Sequence, residues 1–301
     1  VFCFGRVNYL IFYFKRFLSR VILLFIFWTN VMFSQNFTPF KIYKTDGKSI
    51  SDKKLLKDLA QADIILFGEL HDNSIAHWLQ LKFVKELHQV RKISVGMEMF
   101  ETDNQSILDD YLKSKITQKQ LDTLARLWNN YKTDYKPIVD FCKENSLSVI
   151  ATNVPRHYAN ILYKQGEEAL MKLPEADKKW FPTLPMPYNP ELPAYKTMLK
   201  MFGDANHANL NFPKAQAFKD YTMANAIAGN LNDSKLHIHF NGSYHSDNYE
   251  GIYWYLKQIN PNFKIVTIST VLQEKLDKLE IKNKKISDYI IVTDIDITRT
   301  Y

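Results

Sequence analysis

Four short stretches of the chain each close an apolar run with ionisable or amide side chains. They are Phe67-Gly68-Glu69-Leu70-His71-Asp72, Gly96-Met97-Glu98-Met99-Phe100-Glu101, Ala151-Thr152-Asn153-Val154-Pro155-Arg156 and Phe240-Asn241-Gly242-Ser243-Tyr244-His245. Imidazoles and carboxylates together suit Zn, Mn or Co with a position left for water, so His71, Glu98 and His245 read as candidate metal ligands. Glu69 and His71 lie two apart and would share a face in extended backbone. Glu98 could act as ligand or general base, and Arg156 could hold an anion or stabilise developing negative charge. Glu69, His71, Glu98, Arg156 and His245 therefore form the candidate catalytic set. A purely structural rim is the competing reading, with the carboxylates paired to Arg156 and the imidazoles bonded to backbone. Repetition at four strand ends favours function, because the carboxyl ends of parallel strands form one rim outside which ligands bind.

The elements that would carry these residues are short β-branched runs: Ile64 to Phe67, Ile93 to Gly96, Leu147 to Ala151, Leu236 to Phe240, Phe263 to Ile268 and Tyr289 to Val292. Helical patterns separate the first four, and such alternation requires parallel pairing with crossover helices. The expected fold class is α/β, a mainly parallel sheet flanked by helices. Ile75, Leu79, Phe83 and Leu87 make an apolar stripe over Asn73 to Val90, with His77 near the rim. Thr117-Gln118-Lys119-Gln120 is a capping-box pattern, and Pro137 to Asn145 reads as a helix opened by proline. Residues 35 to 60 read as a polar lead-in with a turn at Asp46-Gly47. In the helix from Phe212 to Asn230, Gln216, Asp220 and Asn225 read as exposed interruptions.

Arg6, Lys15, Arg16 and Arg20 precede or flank the apolar run Val21 to Phe27, with no acidic residue before position 34. That is the layout of a secretory signal, so residues 1–34 are expected to be a signal peptide and the protein to reach the periplasm or cell envelope, where membrane association is open. The formal net charge is +7. Without those four residues it falls to +3, with 35 basic against 32 acidic residues. The basic balance is thus largely a property of the leader. Lys275 to Lys285 alternates with acids as a solvated helix face does, and a nucleic-acid partner is not expected. Cys3 lies in the leader and Cys142 is left alone, a buried small hydrophobe by position. No Gly-rich phosphate loop or Gly-x-Ser-x-Gly elbow is present.

Six of the eleven prolines fall between Pro174 and Pro193, which excludes a long helix or central strand there. Residues 165–212 are expected to form a proline-rich helical insertion in an α/β domain spanning 35–164 and 213–301. This lobe is rich in tyrosine beside His207. Tyrosinate and histidine are both haem ligands, and apolar aromatic walls suit a porphyrin.

Taken together, Phe67 to Asn73, Gly96 to Glu101, Asn153-Val154-Pro155-Arg156, Gln216-x-x-x-Asp220-x-x-Met223-Ala224 and Gly242-Ser243-Tyr244-His245 resemble the ChaN-like haem-binding uptake proteins of the Tiki/TraB superfamily. The resemblance runs from about residue 60 to 270. It implies a bacterial envelope protein of haem or iron acquisition that binds haem between subunits of a homodimer and meets other envelope uptake components. From lobe position, His207, Tyr195 and Tyr188 are the candidate haem-binding residues. The wider superfamily includes metal-dependent proteases and erythromycin-esterase-like enzymes with a Gly-x-x-His motif and glutamates, matched by Gly68 to His71 and Glu98. That implies an alternative, a metal-dependent hydrolase. Many members are lipoproteins, whereas no lipid-bearing cysteine follows the leader here.

Overall fold

The computed structural model describes residues 13–18, 38–201, 209–231 and 235–301. The chain divides into two units, Val1–Thr38 and Pro39–Tyr301. In the first, residues 13–18 are helical. The rest of the expected leader lies outside the described residues, as does His207. Among the described residues, no helix is long and apolar enough to cross a membrane.

The second unit is built on seven strands: β1 (Phe40–Lys44), β2 (Ile64–Glu69), β3 (Ile93–Glu101), β4 (Val149–Asn153), β5 (Leu236–Gly242), β6 (Ile265–Gln273) and β7 (Tyr289–Asp294). Their order is β1-β7-β6-β2-β5-β3-β4, parallel throughout except β1, which runs antiparallel to β7. The α/β fold with a mainly parallel sheet is as expected. From β2 the chain moves outward to β3 and β4, then returns to insert β5 between β2 and β3 before continuing to β6 on the other side. The order reverses around β2 and β5, so the crevice such a reversal opens lies over their carboxyl ends.

The helices are α1 (Asp52–Leu59), α2 (Ser74–Val90), α3 (Gln105–Leu112), α4 (Gln118–Leu124), α5 (Lys136–Glu144), α6 (Arg156–Gln165), α7 (Glu167–Met171), α8 (Glu175–Lys178), α9 (Pro193–Lys200), α10 (Asn211–Asn230) and α11 (Ile252–Ile259). On one face of the sheet, Ile65, Phe67, Val95, Met97, Ile238 and Phe240 pack against α1 to α5. Alternate residues turn to the other face, where Ile64 and Leu66 meet Met223, Ala224 and Ile227 of α10 and Ile252 of α11. On β5 that second face carries His237 and His239. His237 meets the Ser94 hydroxyl at 2.9 Å, and His239 meets Thr152 at 2.8 Å and Asn241 at 3.0 Å. They fit because Gly96 lies beside them: a Cβ there would stand 2.5 Å from His237 Nε2. Burial pushes both imidazoles down, to about 3 and about 4.

Asn73 starts α2 by accepting from Ala76 N at 2.9 Å, and its amide donates to Thr293 Oγ1 at 2.8 Å. Thr117 and Gln120 form the expected capping box of α4. Before α5, residues Tyr131–Tyr135 take a π-helical turn that carries both tyrosines inward. Cys142 is buried as expected, its thiol pushed up to about 12 by desolvation. Residues 165–212 hold α7, α8 and α9 among the described positions. Their apolar cluster is shared with Tyr158 and Leu162 of α6 and with Phe218 of α10.

Both edges of the sheet are occupied. Outside β4, the Gln105 side chain donates to Val149 O at 3.0 Å and accepts from Ala151 N at 2.6 Å, as a further strand would. Outside β1 the chain folds back, with Lys44 N donating to Lys48 O at 2.8 Å and Ile50 N to Ile42 O at 3.0 Å. β1 itself corrects the reading of residues 35 to 60 as a polar lead-in: Ile42 and Tyr43 are buried despite the flanking lysines. β3 runs five residues beyond its expected end, because Met99 and Phe100 continue the core past Glu98.

Candidate functional site

The rim of β2, β3 and β5 gathers the expected residues into two linked polar groups. Glu69 ends β2 facing the α2 and α5 side and is almost fully buried. Its Oε1 accepts from His71 Nδ1 at 2.8 Å and from the Tyr135 hydroxyl at 2.6 Å, and its Oε2 accepts from Gln80 Nε2 at 2.5 Å. His77 stands with Nδ1 3.1 Å from Gln80 Oε1 and Nε2 3.0 Å from the His71 carbonyl. That carbonyl also accepts from Asn130 Nδ2 at 3.0 Å, so the turn bearing His71 is held by its backbone as well as its ring. Burial opposes charge on Glu69, but its bonds to His71 and Gln80 and the nearby His77 hold its carboxyl below the usual range.

Glu98 leaves β3 toward the opposite face. Gly242 N donates to its Oε2 at 2.7 Å, and His245 Nε2 stands 3.2 Å from Oε1. His245, in the 3₁₀ turn Ser243–His245 after β5, turns Nδ1 to Asp220 Oδ1 of α10 at 2.5 Å. The Gln216 amide rests against the same ring, and the Tyr195 hydroxyl donates to Asp220 Oδ2 at 3.0 Å. Burial disfavours the imidazolium, but the two carboxylates outweigh it and raise His245 to about 10. Burial likewise opposes charge on Glu98, yet His245, His71 and the Gly242 N–H hold it well below the usual range. Asp220 moves the other way, raised by burial and by Glu98 in spite of His245. Of the two acids sharing the imidazolium, Glu98 keeps its charge more firmly, since it has a backbone donor and a second histidine nearby.

His71 joins the two groups. Its ring reaches over Gly242, where a Cβ would stand 2.7 Å from His71 Nε2 and 3.7 Å from Glu98 Oε2. Only a residue without a side chain fits between them. Burial pulls its pKa down, but Glu69 and Glu98 reverse this and leave it raised. The side chain is one-third exposed and meets the half-buried Trp128 edge-on at 4.9 Å between ring centres.

Outside this array lies an open cleft of about 590 Å³, walled by Leu127, Trp128 and Val154 and bordered by His71, Glu98, Glu101, Asn153, Arg156, Lys219, His245 and Tyr301. Its size falls within the usual range for small-molecule sites. Four of the five candidate catalytic residues, His71, Glu98, Arg156 and His245, border this cleft and Glu69 stands behind His71, but not as the metal centre read from the sequence. Among the described residues no group of three His, Cys, Asp or Glu side chains is arranged to hold a metal ion. Both nitrogens of His245 are taken by carboxylates, and Nδ1 of His71 by Glu69. Arg156 is exposed and pairs with Glu101 Oε1 at 2.7 Å, not with the candidate carboxylates.

The lobe residues fare differently. Tyr195 is 1% exposed, with its hydroxyl committed to Asp220, and burial pushes its pKa upward. Through that bond it supports the rim, and service as a haem ligand, its expected role, would require the bond to Asp220 to be given up. Tyr188 is half-buried and stacks on Tyr195 at 5.6 Å. Asp220, read as an exposed interruption, is 1% exposed. The missed signal was spacing: Ala217, Asp220, Ala224 and Ile227 form the buried stripe of α10.

The structure of ChaN from Campylobacter jejuni, described as showing cofacial haem binding, superposes with a TM-score of 0.64. It shares 21% identity and covers 84% of this chain and 96% of that one. This likeness establishes the fold. Protein RETICULATA-RELATED 5, chloroplastic, of Arabidopsis thaliana is 24% identical over 140 residues, 43% of this chain; the match spans only 18% of that protein's length. Residues 55–256, which hold both polar groups and nearly all of the cleft, match the family described as haem-binding uptake, Tiki superfamily, ChaN, and the chain belongs to that family.

Proposed function

We propose that the protein binds haem in the strand-end cleft. The observation that carries this reading is the family match over residues 55–256, which covers the cleft apart from Tyr301. The cleft suits the group: Trp128, Leu127 and Val154 would flank the macrocycle, and Tyr301 and His71, the bordering histidine that is not held between two carboxylates, would be the residues to hold the iron. The bound group would supply the iron and the redox chemistry. The chain's own residues hold His71 in place through Glu69 and Asn130 and keep the cleft floor charged and fixed through Glu98 and His245.

We further propose that the protein is exported to the periplasm or cell envelope, that it serves haem or iron acquisition with envelope partners, and that it works as a homodimer. The signal-like layout before residue 34 supports export. Cofacial haem binding in the Campylobacter jejuni relative supports pairing of two copies. The test is a titration of the full chain with ferric haem, followed by absorption and by sedimentation. A saturable Soret band with a shift to dimer is expected. No Soret change would refute the reading.

A further inference from the structure

Beyond β7 the chain turns, with Ile297 N donating to Asp294 O at 3.3 Å, and Arg299 then pairs as an isolated bridge with Asn73, just past the turn that bears His71. Four contacts hold it there. Ser74 Oγ donates to Thr298 O at 2.8 Å, Thr300 N to Asp72 O at 3.1 Å and Thr300 Oγ1 to Asp134 Oδ2 at 2.7 Å, while Arg299 pairs with Asp72 Oδ2 at 2.7 Å. Tyr301, next along, borders the strand-end cleft and is 67% exposed.

Every one of these ties is polar. Among the described residues, none from Ile295 to Tyr301 is buried or joins a buried apolar cluster. Water replaces an exposed hydrogen bond or ion pair at little net cost. β7, which ends at Asp294, is the opposite case, with Ile290, Ile291 and Val292 fully buried. A segment tied only by polar contacts opens locally, at a small fraction of the free energy that unfolds the sheet. The ties also end where they affect the cleft. Asp72 follows His71, and Asp134 accepts from Asn130 Nδ2 at 2.7 Å, the same amide that donates to the His71 carbonyl. The segment thus clamps the His71 turn to the π-helical turn and carries Tyr301 to the border of the cleft.

We propose that residues 298–301 are a detachable strap of the strand-end cleft, which swings off to admit a ligand and closes on it while the sheet stays folded. The role at the cleft rests on the haem reading, but detachment is tested without a ligand. Hydrogen exchange of the full chain, followed by mass spectrometry, should show the amide of residue 300 exchanging about a hundredfold or more faster than those of β2 and β5. Thr300→Val keeps the shape and removes one charge-assisted bond, so it should raise that exchange about tenfold and leave β2 and β5 unchanged. Stopped-flow mixing with ferric haem should then show association and release both faster in Thr300→Val, because the ligand passes through the open form. An amide at residue 300 as protected as those of β2 would overturn the strap, since it would open only with the whole sheet. Raised exchange in Thr300→Val with unaltered association and release would overturn its role at the cleft. No Soret change in either protein would refute the haem reading, and the exchange comparison would still decide whether the segment detaches.

Discussion

Replacing His245 by glutamine keeps side-chain volume but removes the positive charge between two buried carboxylates. The N···O distances are 3.2 Å to Glu98 and 2.5 Å to Asp220. At an effective dielectric of about 20, each contact is an attraction of roughly 5 to 7 kcal/mol, while taking each ion out of water costs several kcal/mol. Without the imidazolium, Glu98 and Asp220 must repel each other or one must take up a proton. Breaking such a buried group costs about 3 to 5 kcal/mol, or a fall in Tm of about 10 °C for a domain of this size. The pH dependence gives an independent check. The imidazole titrates near 6.5 when free and at about 10 here. Its contribution is therefore complete below pH 6.5 and is lost as pH rises toward 10. Urea unfolding followed by circular dichroism at pH 6.5, 8 and 9.5 should show the native protein weakening across this window and His245→Gln weakening clearly less, with the slope that remains due to His71, whose pKa is also raised. If the variant matched the native midpoint, or the native protein were flat from pH 6.5 to 9.5, the buried ion array would be refuted.

The acid side should bend for a different reason. His237 and His239 are held neutral, with pKa values of about 3 and about 4. An unfolded chain takes up their protons first, so their stabilisation is complete above pH 6.5 and is lost as pH falls toward 4. A urea midpoint unchanged between pH 6.5 and 5 would contradict this. Gly242→Ala places a Cβ 2.7 Å from His71 Nε2 and should cost about 1 to 3 kcal/mol as the ring is displaced; an unchanged urea midpoint would show that His71 moves freely. Tyr195→Phe removes the donor to Asp220 and should cost about 1 to 3 kcal/mol without altering the haem spectrum. A lost Soret band at full folding would restore Tyr195 as a ligand.

The strand-end chemistry was legible because polar residues interrupt apolar runs at positions where a parallel sheet must expose them. Glu69, Glu98 and His245 are such residues, and they converge. What they do to one another was not legible, since it depends on groups that arrive from other layers. Asp220 comes from α10 and Tyr135 from a π-helical turn, and these decide that His245 is an ion partner and that Glu69 is saturated with donors. Asp220 could have been found in the sequence by asking which face of its helix is buried. Lys219, which borders the cleft, carried no signal, because a lysine on a helix is ordinarily solvated. The insertion of β5 between β2 and β3 was equally hidden: spacing predicts parallel pairing but not neighbours.

The Gln105 amide beside β4 has a consequence for how copies of this chain could meet. A sheet margin with open N–H and C=O groups recruits further strands, and such growth need not stop at two. Here one side chain answers Val149 and Ala151, and the opposite margin is answered by its own returning loop. Neither end of the sheet invites a neighbour. A strand added at either of these positions would first have to displace bonds that the chain already makes with itself.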